Sequence, residues 1–175
     1  MSAIPDRIKQ AFDLQSTDPQ AWYELARILR IAAGPVQHRL FEIHTMPQTR
    51  EGIRLEKLAC VKVVMLLTGL AFENLLKAIA LSRHQSIKDL NKRKRGGHGL
   101  VAIADSLTID LAPAEREFLR RLEEYVVWAG RYPVPLEITA YATSERERLL
   151  TFRGDDPALG DRLFARLSAP LEQSG

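Results

Sequence analysis

Apolar residues recur at helical spacing along most of the chain, and alternation over enough positions to predict a sheet is absent. The longest apolar segment is Leu55–Leu81, which no proline interrupts. Between Val63 and Phe72 it is apolar on nearly every side, which predicts a helix buried at the centre of the fold. Gly69 costs about 1 kcal/mol relative to alanine in a helix, and close approach of a second helix is one reason to keep it.

Other helices are predicted on both sides of this segment. Asp18 and Pro19 suit the N-cap and the first turn of a helix, and Gly34-Pro35 is predicted to end it. Pro113 suits the start of a later helix that Gly130 is predicted to end. The remaining segments predict a short amphipathic piece at 4–14, helices at 36–46, 100–107, 143–152 and 156 to about 169, and an extended strap at 134–139. The predicted fold class is therefore all-α.

The composition indicates a globular protein. A chain of 175 residues is expected to form one domain with a sizeable core. Charged residues such as Lys62 and Glu73 interrupt the long apolar segment before any uncharged run reaches about 18 residues, so we expect no membrane span. Cys60 is the single cysteine, which favours a reducing compartment, and the first residues lack the apolar core of a signal peptide. We expect a cytoplasmic protein.

Positive charge is concentrated in one segment. Residues 83–98 contain six basic residues and one acid, for a charge of +5, whereas the rest of the chain sums to −2. A basic patch of this kind attracts phosphate. The alternative is a solvated connector between helices. The basic residues are Arg83, Lys88, Lys92, Arg93, Lys94 and Arg95.

A glycine-rich loop around His98 follows the basic run and leads into a predicted helix. Free backbone N–H groups and the helix dipole favour an anion at such a position. The imidazole of His98 can donate, accept or carry a proton near neutral pH. The alternative is a flexible hinge in which His98 caps the helix.

The familiar catalytic signatures are absent from the sequence. It contains no nucleophile elbow, Walker loop, dinucleotide fingerprint or HExxH motif. His38 and Glu42 are spaced for one helix face, but two ligands are too few to predict a metal site. We therefore expect neither a metal nor a cofactor.

Three short segments, taken in order, resemble the HEPN superfamily of helical domains, found in bacterial nucleotidyltransferase partners, toxin–antitoxin systems and defence proteins. The first is the helix ending Gly69–Ala78, which carries Glu73 and Lys77. The second is the loop and helix start Gly97–Leu100, and the third is a helix closing on Arg131-Tyr132-Pro133. The resemblance covers roughly Leu55 to Pro135, together with the helix from Pro19.

The resemblance implies an antiparallel helical bundle with extra N- and C-terminal helices. The bundle core would span about 19–135, with a C-terminal extension at 136–175. Members are often dimeric and have a cleft that meets RNA or a nucleotide, and the partner protein would be a nucleotidyltransferase or an antitoxin. Ribonucleases of the superfamily carry Arg four to six residues before His, a spacing that Arg93 and His98 satisfy. The branch with Arg-Tyr-Pro downstream generally binds rather than cuts.

These features predict a cleft faced by His98, Arg131 and Tyr132, with Glu73 and Lys77 on its floor. The expected function is binding of RNA or a nucleotide without catalysis. One alternative is a metal-independent endoribonuclease that uses His98 with Arg93 or Arg131. Another is a protein–protein adaptor whose basic loop binds an acidic partner. The expected phosphate-binding set is His98, Arg131, Tyr132, Lys92, Arg93, Lys94 and Arg95; Glu73 and Lys77 have the alternative role of a buried polar network that fixes the bundle.

Overall fold

The structure is a computed structural model that describes residues 4–46, 51–91 and 98–173. Within these ranges the regular structure is entirely helical, which confirms the predicted fold class. A π-helical turn, Tyr125–Ala129, continues the sixth helix. The α-helices are α1 (Asp6–Thr17), α2 (Pro19–Thr45), α3 (Glu51–Ser82), α4 (Ile87–Asn91), α5 (Leu100–Ser106), α6 (Pro113–Glu124), α7 (Ile138–Arg146) and α8 (Asp156–Glu172).

Helix α3 is the axis around which the other helices pack, as its apolar sequence predicts. Every residue from Ala71 to Ala80 is buried. Helix α2 runs antiparallel to it: Trp22 lies against Lys77 at one end of the pair, and His44 lies 3.2 Å from Lys57 at the other. The C-terminal half of α3 therefore forms the main core, and its N-terminal half forms a hairpin with α2.

Helix α6 and the π-helical turn also run antiparallel to α3. Phe118 packs edge-on against Phe72, with ring centroids 6.0 Å apart. A Cβ on Gly69 would lie 2.5 Å from Cγ2 of Val126, so only glycine permits this approach. The close helix contact predicted at Gly69 is confirmed.

Helix α8 closes the core over α2 and α3. Phe164 packs edge-on against Phe72 at 5.7 Å, and Leu163 is fully buried. The hydroxyl of Tyr23 donates a 2.6 Å hydrogen bond to Oε1 of Glu172. Residues assigned from the sequence to a C-terminal extension thus share the hydrophobic core of residues 19–135.

The predicted end of the second helix at Gly34-Pro35 is wrong, because α2 continues without a break to Thr45. A proline inside a helix removes one hydrogen bond, to the carbonyl four residues earlier. That residue is Ile31, which is 71% exposed, so water can satisfy its carbonyl. The separate helix predicted at 36–46 is the second half of α2.

The predicted boundaries after Gly130 are also corrected. The helix expected at 143–152 is α7, which begins at Ile138 and ends at Arg146, so the irregular strap ends at Glu137. Ser144 anchors α7 by donating a 2.8 Å hydrogen bond to the buried carboxylate of Glu124. A positive φ of 52° at Arg148 prevents helix continuation toward residue 152.

Helix α3 has the length and composition that a membrane span would need, over Gly52–Ser82. Half of its most apolar window is buried against the rest of the chain.

Candidate functional site

Glu73, Lys77 and His98 meet where α3 passes the turn that precedes α5. Nζ of Lys77 lies 2.5 Å from Oε1 of Glu73, and Nδ1 of His98 lies 2.8 Å from Oε2 of the same carboxylate. The side chains of Glu73 and Lys77 are 7% and 8% exposed, whereas that of His98 is 41% exposed. One buried carboxylate therefore holds a buried ammonium and a half-exposed imidazole.

Helix geometry and the antiparallel α2–α3 pair explain this arrangement. Glu73 and Lys77 are four residues apart on α3, so their side chains share one helix face. Nζ of Lys77 also lies 5.4 Å from the ring centroid of Trp22 on α2, within range of a cation–π interaction. The indole N–H of Trp22 donates to the carbonyl of Ser16 at 3.3 Å. The ammonium is thus held between a carboxylate and an aromatic ring.

The contact with Glu73 determines which ring nitrogen of His98 is left without a hydrogen bond. An ionised carboxylate only accepts hydrogen bonds, so Nδ1 of His98 must carry its proton. Gly99 is buried, and its carbonyl accepts the first backbone hydrogen bond of α5, from Ile103 at 2.9 Å. Within the described residues, Nε2 of His98 makes no hydrogen bond. This nitrogen can accept a proton when the ring is neutral and donate when it is charged.

Arg131 and Tyr132 lie at the other end of the α3–α6 pair. Arg131 donates a 2.8 Å hydrogen bond to the carbonyl of Val127, and its guanidinium lies 5.5 Å from the Tyr132 ring centroid. Both side chains are exposed. The neighbouring Gly130 packs against Leu66, seven residues before Glu73 and so about 10 Å away along α3.

The structure therefore brings together part of the predicted site. Glu73, Lys77 and His98 are joined by hydrogen bonds, whereas no hydrogen bond joins Arg131 to His98. Trp22 joins the cluster without having been predicted, because only the antiparallel register of α2 and α3 brings it to Lys77. The predicted phosphate-binding residues Lys92, Arg93, Lys94 and Arg95 lie outside the described residues.

A second charged pair, Arg121 and Asp156, was not predicted. Both side chains are 2% exposed, and two hydrogen bonds of 2.6 and 2.5 Å join the guanidinium to the carboxylate. The backbone N–H of Arg153 also donates to this carboxylate at 2.8 Å. A signal exists in the sequence, since Arg121 lies three residues after Phe118 on the apolar face of α6. The pair joins α6 to α8 and is closed to solvent, so its role is structural.

His38 and Glu42, whose spacing would let them share a metal ion, lie on one face of α2. His38 and Glu42 form an exposed ion pair at 3.3 Å. Among the residues that the structure describes, no group of three histidine, cysteine or acidic side chains is placed to hold a metal ion. Cys60 is buried, and burial raises the pKa of its thiol, which disfavours the reactive thiolate.

Comparison with known proteins adds no assignment. No protein-family model, curated protein or solved structure matches this chain. Functional inference consequently rests on the residues of the Glu73–Lys77–His98 cluster and on the charge of the chain that precedes it.

Proposed function

We propose that the protein is a HEPN-like helical domain that binds RNA or a nucleotide through phosphate, in a bacterial defence or toxin–antitoxin type system and without catalysis. The observation that carries this proposal is the contact between Glu73 and His98, which presents a half-exposed imidazole directly after a basic segment. A cytoplasmic location, a homodimer and a nucleotidyltransferase or antitoxin partner belong to the same proposal.

The chemistry of phosphate binding fits this cluster. When protonated, His98 donates Nε2–H to a phosphate oxygen while Nδ1–H remains bonded to Glu73. Arg95 is three residues from His98, so the extended chain between their Cα atoms spans at most about 11 Å. Positive charge in this segment can therefore reach the same strand of RNA. Arg131 and Tyr132 remain candidates for contacts farther along that strand.

Fluorescence anisotropy with a labelled single-stranded RNA tests the proposal. We expect His98→Gln to weaken binding at least tenfold, because a hydrogen bond to a charged group contributes about 1.5–3 kcal/mol and each 1.4 kcal/mol is about a factor of ten. His38→Gln is the matched control, since His38 is an exposed histidine outside the cluster. Equal affinities for both variants and the wild type would remove His98 from the binding site.

A metal-independent endoribonuclease is the second candidate function. A carboxylate that orients one imidazole nitrogen and leaves the other open is the arrangement of a general base. His98 would then take the proton of a 2′-hydroxyl as its oxygen attacks phosphorus and the P–O5′ bond breaks, and the leaving 5′-oxygen would take a proton from solvent. Arg93 or Arg131 would stabilise the negative charge on the phosphorane oxygens. Cleavage of a mixed RNA in EDTA that is lost in His98→Ala supports this candidate. If the wild type binds RNA without cutting it, the binding function stands alone.

A further inference from the structure

The segment between the π-helical turn and α7 forms one wall of a groove with a volume of about 540 Å³. This volume lies within the range of small-molecule sites, about 300–1,000 Å³. The groove is remote from the Glu73–Lys77–His98 cluster in sequence and has a different lining. Its surface is mostly apolar, formed mainly by Val127, Trp128, Tyr132, Val134, Leu136 and Ala140.

The groove is built from restrained backbone. Pro133 and Pro135 both line it, and each proline fixes its own φ near −65°. The facing wall includes the π-helical turn, a form of helix that is rare and often occurs at functional sites. Val134 is 58% exposed and Leu136 is fully exposed, so neither side chain contributes to the core. Apolar side chains held open in this way indicate a binding surface.

Both charged residues in the lining are carboxylates. Glu124 is 2% exposed, and its Oε2 accepts hydrogen bonds from Nε1 of Trp128 at 2.7 Å and from Oγ of Ser144 at 2.8 Å. Glu137 lies at the rim, immediately before α7, and its carboxylate has no hydrogen bond or ion pair within the described residues. Arg131 is not part of the lining, and its guanidinium lies 5.5 Å from the ring centroid of Tyr132, which is part of it.

We propose that this groove binds a small amphipathic cation, with an aromatic or aliphatic body and a protonated amine. The apolar walls would bury the body of such a molecule. The amine would be attracted by Glu137 at the rim and by the buried carboxylate of Glu124. Phosphate would be repelled by the same carboxylates, so the groove would select a different ligand from the Glu73–Lys77–His98 cluster.

Tryptophan fluorescence gives a direct readout, because the chain contains two tryptophans and one lines the groove. In a Trp22→Phe background, Trp128 is the sole tryptophan. The probes are 4-phenylbutylamine, 4-phenylbutanol and 4-phenylbutyrate, which share a body and differ in charge. We expect a saturable change in Trp128 emission, with affinity falling from the amine to the alcohol to the carboxylate.

Exposed residues supply variants that should leave folding intact. Glu137→Gln is expected to weaken amine binding about threefold and to leave alcohol binding unchanged, since an exposed charge contributes up to about 1 kcal/mol. Leu136→Ala should weaken binding of all three probes. Glu145→Gln is the matched control, because Glu145 is an exposed residue of α7 outside the lining.

Three results would overturn the proposal. The first is the absence of a saturable change in Trp128 emission for any probe. The second is equal affinity for the amine and the carboxylate, which would remove the charge selectivity. The third is a dimer in sedimentation velocity that Leu136→Asp converts to a monomer, which would assign the groove to a second copy of the chain.

Discussion

The buried charged residues of this protein differ in whether their bonding partners are also buried or are exposed to solvent. Two hydrogen bonds join the guanidinium of Arg121 to the carboxylate of Asp156, and both side chains are 2% exposed. Glu73 is as deeply placed, but it shares its carboxylate between buried Lys77 and half-exposed His98. The first pair can only hold helices together, whereas the second cluster leaves the imidazole of His98 partly open to solvent.

The Arg121–Asp156 pair provides a stability prediction at the scale of single residues. Asp156→Asn leaves the guanidinium buried without its counter-charge, and we expect a loss of about 3–5 kcal/mol in the free energy of unfolding. Urea unfolding followed by far-UV circular dichroism measures it. The matched control is Glu147→Gln, which breaks the more exposed ion pair with Arg120 and should cost under about 1 kcal/mol. Equal losses for the two variants would contradict the structural role assigned to the buried pair.

Contacts between helices depend on small residues at particular positions, as Gly69 illustrates. Alanine has the higher helix propensity, yet a Cβ here meets both Val126 and the carbonyl of Leu122. We expect Gly69→Ala to destabilise the fold by about 1–3 kcal/mol through overpacking.

Chemical denaturation of Gly69→Ala beside Gly52→Ala checks this prediction. A Cβ on Gly52, in the first turn of α3, meets nothing within 4 Å. We expect that control to be neutral or stabilising, by up to about 1 kcal/mol, because alanine has the higher helix propensity. If Gly69→Ala were as stable as Gly52→Ala, the close approach of α6 to α3 would be wrong.

The stability that the contact between α8 and α2 contributes should depend on pH. The hydrogen bond from Tyr23 is the main cause of a lowered pKa at Glu172, with a second contribution from Ser168. A carboxyl whose pKa is lower in the folded state contributes stability above its unfolded value, near 4.5, and loses it as the pH falls through the folded value. Tyr23→Phe should therefore destabilise the protein at pH 7 and less so at pH 3. If thermal unfolding gave the same difference in stability between Tyr23→Phe and the wild type at pH 7 and at pH 3, the prediction would be contradicted.

The helices could be predicted from the sequence to different extents. The central helix, the glycine contact and the start of α6 follow from local patterns of apolar residues, glycine and proline. The continuation of α2 through Pro35 could not be predicted, because it depends on whether the carbonyl of Ile31 faces water. The π-helical turn has no simple local signature, and the groove beside it forms only when α7 packs against α6.

At the scale of the whole molecule, the candidate site could be predicted only in part. Glu73 and Lys77 are four residues apart, a spacing that favours pairing on a helix, and the resemblance suggested that they lie near His98. Arg131 lies about 10 Å from Glu73 along the axis of α3. This separation depends on the antiparallel packing of α6 on α3, which no local sequence pattern specifies. Predicting the contact between Trp22 and Lys77 would have required the same long-range information.

The uneven distribution of charge predicts how RNA binding responds to salt. Each phosphate contact to a single strand contributes about 0.7 to the slope of log affinity against log salt. Replacing four basic residues before His98 should reduce the magnitude of that slope by up to about 3. The residues changed to glutamine are Lys92, Arg93, Lys94 and Arg95.

A control variant that loses the same charge elsewhere distinguishes attraction of RNA by the basic segment from attraction by the whole surface. Arg7, Lys9, Arg54 and Arg162 are exposed basic residues on other helices, and their replacement by glutamine removes four charges. Anisotropy titrations from 50 to 300 mM salt should give that variant a nearly unchanged slope. Equal reductions for both variants would indicate non-specific binding over the whole surface.

The most direct test of the Glu73–His98 site is histidine NMR during RNA titration. Long-range ¹H–¹⁵N spectra at pH 8 identify which imidazole nitrogen carries the proton, and the chain has four histidines to compare. We predict that at pH 8 His98 has its proton on Nδ1 in the free protein, and that in a titration at about pH 6 its resonances shift on adding RNA, while those of His38 do not. A proton on Nε2, or RNA binding that leaves His98 unshifted, would contradict the site.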